Sequence, residues 1–172
     1  TSRAEIWGMT FEKLFLKSGE KDIIYLLIDG LSREEIGMRL GVRRDSVNKK
    51  IGQIKEKLSV NNIEATVIRA ICLDNELKDH AEFLARKSVI ELPDHLSLTP
   101  LEKTILIELL RGKSMGEIAS DLSADISSIR TIRTKLRRRL QVTSEVGFVI
   151  KSIAIGLLNF ELNCVPLQAV RN

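Results

Sequence analysis

"SMGEIASDL", residues 114–122, and "SREEIGMRL", residues 32–40, repeat one pattern at an offset of 82 residues. Each opens with Ser-x-x-Glu, a capping box: the serine hydroxyl takes an orphan helix N–H and the glutamate returns to the serine N–H. Each continues with an apolar pair at i, i+4, Ile36 with Leu40 and Ile118 with Leu122, so both predict a short amphipathic helix. At the same offset, residues 16–71 and 98–153 align without a gap. Identical pairs include Glu20/Glu102, Lys21/Lys103, Ile23/Ile105, Leu27/Leu109, Gly30/Gly112, Ser46/Ser128, Leu58/Leu140, Val60/Val142, Val67/Val149 and Ile71/Ile153. Two copies are too few for a solenoid, so the pattern predicts two similar small domains.

Each copy parses into four helices. The first spans roughly 19–29 and 99–111, stopped by Gly30 and Gly112, with Thr99 as N-cap and Pro100 in the first turn of the second copy. The second is the capping-box helix. Gly41 suits the left-handed turn after it; Ser123, its counterpart, suits it less. The third helix buries Val47, Ile51, Ile54 and Leu58 in one copy and Ile129, Ile132, Leu136 and Leu140 in the other. Asp125 is a good N-cap for that helix, whereas Arg43 is a poor one. Arg133 falls where the first copy has Ile51. The fourth helix covers about 62–75 and 144–160, and the connector holds a short helix near 80–88.

The bulk composition agrees. Hydrophobic residues make up 44% of the 172, enough to bury a core, and only 4% are aromatic, which favours helices over a sandwich. Cys72 and Cys164 lie far apart and outside any C-x-x-C pair, and with only His80 and His95 no metal-ligand cluster forms; both cysteines read as small core residues in a reducing compartment. No signal peptide and no apolar run of transmembrane length is expected. No acidic residue pairs with a His or Cys base, and there is no phosphate-cradling glycine loop, so no catalytic residue, enzyme activity, cofactor or metal is expected.

Net charge is only +4, but it is concentrated. Residues 43–57 hold six basic and two acidic side chains, and residues 130–139 hold six basic and none acidic. Two cationic third helices in an otherwise acidic chain are the footprint of a polyanion binder.

A short helix, a tight turn and a basic helix make a helix-turn-helix. "EKDIIYLLIDGLSREEIGMRLGVRRDSVNKKIGQIKEKLSVNN" and "LTPLEKTILIELLRGKSMGEIASDLSADISSIRTIRTKLRRRLQVTS" both resemble the DNA-binding domain of the LuxR family. They share a glutamate in helix one, the G-x-S-x-x-E-I step, the serine-plus-aliphatic opening of helix three and its "KLSV" or "RLQV" exit. The resemblance implies an all-α chain of two tandem four-helix LuxR-type helix-turn-helix domains, joined by a short, partly helical connector. The expected divisions are an N-terminal helical segment at 1–15, the first domain at 16–76, the connector at 77–95, the second domain at 96–161 and a tail at 162–172.

The implied activity is transcription regulation through double-stranded DNA, each third helix entering a major groove. Asn48 and Lys49, with Arg130, Thr131 and Thr134, are the expected base contacts, since Asn suits adenine and Arg suits guanine. Ser32, Arg44, Ser46, Lys50, Lys55 and Lys57, with Ser114, Ser128, Arg133, Lys135, Arg137, Arg138 and Arg139, are the expected phosphate contacts. In LuxR-type relatives the fourth helix commonly dimerises the domain on an inverted site, so the resemblance implies a pseudo-dimer within one chain. Rival readings have one copy binding DNA and the other protein, with 146–160 as a homodimer face or a seat for the N-terminal segment; a sigma-factor-like subunit; or a helical interaction module. RNA polymerase or another regulator is the accompanying protein partner, no membrane partner is expected, and the location is the cytoplasm of a bacterium or phage host, on the nucleoid.

Overall fold

In a computed structural model, residues 15–89, 97–144 and 146–158 can be described. All regular structure among them is helical: α1 (Ser18–Ile28), α2 (Arg33–Leu40), α3 (Arg44–Leu58), α4 (Ile63–Leu73), α5 (Asn75–Val89), α6 (Pro100–Leu110), α7 (Met115–Asp121), α8 (Ile126–Arg139) and α9 (Gly147–Ala154). The expected N-terminal segment, but for Phe15, lies outside the described residues, as do most of the connector beyond α5, the tail and Cys164.

The turns between helices recur at the same offset as the sequence. Gly30 and Gly112 have φ +88° and +95°, Gly41 and Ser123 +67° and +50°, and Ser59 and Gln141 +53° and +54°. Each ends a helix by bringing the chain into the left-handed region, where an N–H can turn back onto orphan carbonyls. The capping boxes recur too. Ser32 N–H donates to Glu35 Oε2 at 2.7 Å, and Ser114 N–H to Glu117 Oε2 at 2.7 Å. Thr99 N–H donates to Glu102 Oε2 at 2.9 Å, and Lys17 N–H to Glu20 Oε2 at 2.8 Å. Two local expectations fail. Asp125 stands at the N-cap of α8 but its side chain makes no capping hydrogen bond. The last helix, expected over 144–160, is only Gly147–Ala154, followed by Gly156 at φ +72°.

The larger departure is α5. It runs well past the short helix expected near 80–88 because Asp74 caps it, accepting from Leu77 N–H at 3.1 Å, directly after α4 ends. Leu77, Ala81, Ala85 and Ser88 line one buried stripe along it. Small residues at this spacing let a partner helix approach closely, and α9 packs chiefly there, with α4 and α1 also against α5. Lys21 ties α1 to the same junction through Asp74 at 2.8 Å. The described part of the connector is therefore a core element, and the hydrophobic core among the described residues is one continuous cluster running from Leu16 to Leu158.

Phe148, Val149 and Ile150 are buried inside the chain, whereas Ile153, Ala154, Ile155 and Leu157 are half-buried. Cys72 is buried, as expected.

Candidate nucleic-acid interface

The third helix of each set, α3 and α8, is amphipathic, and burial divides its side chains as the periodicity requires. Val47, Ile51, Ile54 and Leu58 are buried on α3, and Ile129 and Leu136 on α8. Helix two packs on helix three in both sets. The outer faces remain accessible. Lys49 and Lys50 on α3, and Arg130, Lys135 and Arg138 on α8, are exposed and make no ion pair among the described residues.

The other expected contacts are more constrained. Asn48 is half-buried, its Oδ1 accepting from Arg33 Nη1 at 2.9 Å, which leaves its amide N–H groups as the available donors. Thr131 and Thr134 are exposed, but their hydroxyls donate to Ser127 O and Arg130 O, each at 3.0 Å, so they can only accept from a base. Ser32 Oγ accepts from Glu35 N–H at 3.3 Å, and Ser114 Oγ from Glu117 N–H at 3.2 Å. Those backbone and hydroxyl bonds from Ser32 and Ser114 hold Glu35 and Glu117 below the usual carboxylate range, so both helix-two N-termini already carry an anion. Ser46 and Ser128 are exposed, and Lys55 is half-buried. Arg44 meets Glu34 at 2.8 Å on the surface, and Arg137 reaches Thr143 O at 3.4 Å.

Three further expected phosphate contacts have their charges engaged by distant carboxylates. Lys57 Nζ lies 2.6 Å from Glu20, and Arg139 donates to Glu102 and to Ser97 O. Both pairs tie the end of helix three to the start of helix one. Burial alone would favour the neutral form of Glu102, but hydrogen bonds from Arg139 and the Thr99 N–H outweigh it and lower its pKa. Arg133 points inward to Glu64, at 3.1 Å. In all three cases a carboxylate far away in sequence competes for the cation. The shared Glu20/Glu102 was the available signal for the first two pairs.

Ile126 was not among the expected contacts, since an isoleucine at a helix start reads as core. It is 43% exposed at the N-terminus of α8, the end that enters a groove in this motif. An apolar side chain there can meet a thymine methyl. Exposed Arg43, just before α3, adds a further cation at the matching end.

Among the described residues no group of His, Cys, Asp and Glu could hold a metal ion, and no helix is long and apolar enough to cross a membrane. Residues 96–152 match the family model described as "Bacterial regulatory proteins, luxR family" (GerE). No curated protein and no solved structure matches the chain. The matched span covers α6–α8 and most of α9 and is a LuxR-type helix-turn-helix domain; α1–α5 lie outside it. Such a domain indicates a DNA-binding transcription regulator.

Proposed function

We propose that the chain is a sequence-specific transcription regulator containing two tandem LuxR-type units, α1–α4 and α6–α9, which present α3 and α8 to two half-sites in major grooves. The carrying observation is that Lys49 and Lys50 on α3, and Arg130, Lys135 and Arg138 on α8, sit exposed on the same helix of each unit, without ion pairs among the described residues. The contacts between units favour a two-fold arrangement. A Cβ on Gly30 would stand 3.7 Å from Ser144 Oγ, and one on Gly112 would stand 3.1 Å from Ala65 Cβ. Asn62, 82 residues before Ser144, donates to Leu109 O beside that second turn. Exchanged contacts of this kind belong to isologous pairing, which turns two readers toward inverted half-sites. The covalent link then raises the effective concentration of the second reader.

A second reading has α8 alone reading DNA. It is favoured by the extra free cation on α8 and by the tie between Asn48 and Arg33 on the other unit. Selection of bound sites from a random duplex pool separates the two. Recovery of two inverted half-sites supports the tandem reading; recovery of one overturns it.

A further inference from the structure

Arg133 occupies the position matching Ile51, a core residue of α3 that is 2% exposed. A charge at a core position needs a partner, or its desolvation is not offset. The partner is Glu64 on α4, in the other unit, at 3.1 Å and itself 2% exposed. The Arg133 guanidinium also lies over Phe148, 5.9 Å from the ring centroid. Two residues before Glu64, the Asn62 side chain donates to Leu109 O on α6 at 2.9 Å. The N-terminal turn of α4 thus holds the second unit at two polar points, one of them on the reading helix α8. α4 also packs on α3.

We infer that Arg133 is a positioning residue: it locks α8 to α4, and through α4 to α3, so that the chain measures the number of base pairs between its two half-sites. The inference rests on the two-half-site reading above. Its physical basis is the directionality of the pair. Guanidinium is a planar fork, and the Glu64 carboxylate that it meets across the seam is 2% exposed. Inserting one base pair moves the second half-site by about 3.4 Å and turns it by about 35°. A locked seam cannot follow that screw motion, whereas a loosened one can.

The test uses the full chain and duplexes carrying the two selected half-sites, with the spacer changed by one or two base pairs either way. Wild type should lose about tenfold in affinity per base pair of change. Arg133→Met keeps the volume and removes the charge. It should bind the optimal spacer within about threefold of wild type, lose less than threefold per base pair, and keep the wild-type salt slope. Arg133→Lys, with charge but no fork, should fall between them. Should Arg133→Met fail to fold, Glu64→Gln must show the same flattened spacer profile. A variant with the wild-type profile overturns the inference alone. So does a loss that is uniform across spacers with a salt slope shallower by about 0.9, which would make Arg133 a phosphate contact. A wild type indifferent to spacer overturns the two-half-site reading and the inference with it.

Discussion

Lys57 Nζ sits 2.6 Å from the Glu20 carboxylate, closing the end of α3 onto the start of α1. Both side chains are largely covered, at 21% and 17% exposure, so the pair is neither a surface ornament nor a dry interior bridge. Lys57→Ala should lower unfolding free energy on the order of 1–2 kcal/mol, between the exposed and buried limits. It should leave the salt dependence of DNA binding unchanged. Urea unfolding combined with a salt titration of affinity measures both.

Lys49 and Lys50 should behave in the opposite way. Replacing both with Ala should barely change stability, because neither has an ion-pair partner among the described residues. The slope of log affinity against log salt should become shallower by about 0.9 for each lost phosphate contact. Arg130→Ala with Arg138→Ala should do the same for α8, and Arg130→Ala should in addition relax the choice of base at one position. An unchanged slope in the α3 variant would remove that helix from the interface.

Acid should test the Arg139–Glu102 pair. The Glu102 carboxyl is held below its ordinary 4.5 in the folded chain, so its stabilisation is present above that value. It is lost as pH falls from 4.5 through the lowered folded value. Glu102→Gln should be less stable than wild type at neutral pH, and the gap should narrow as the pH drops through this window. A constant gap across thermal melts in that range would contradict the assignment.

Ser123 adopts φ +50°, where its counterpart Gly41 has no Cβ to strain. Ser123→Gly should raise stability by about 0.5–1 kcal/mol. Gly41→Ala should lower it by about 1 kcal/mol, although a Cβ there would meet nothing within 4 Å. Melting temperatures of the two variants, moving in opposite directions, would isolate backbone strain from packing.

Much of the local structure is legible in the chain. The helices, the Ser32 and Ser114 capping boxes and the buried faces of α3 and α8 depend on groups within a few residues of one another, so spacing alone reports them. Asp125 is an exception even at this range, since a favourable residue type does not guarantee a side-chain rotamer that caps.

Which cations face outward was decided only by tertiary structure. Lys57 and Arg139 look like Lys50 and Arg138 in the linear chain, and Arg133 is set apart only by falling at the position of Ile51, but folding brings Glu20, Glu64 and Glu102 against Lys57, Arg133 and Arg139 from 37 to 69 residues away. Likewise the sequence marks only a short helix near 80–88, and nothing local says that α9 will cover α5. Periodicity records which side of a helix is apolar; it carries no information about which distant carboxylate or helix will occupy the space beside it, because that depends on the assembled three-dimensional packing.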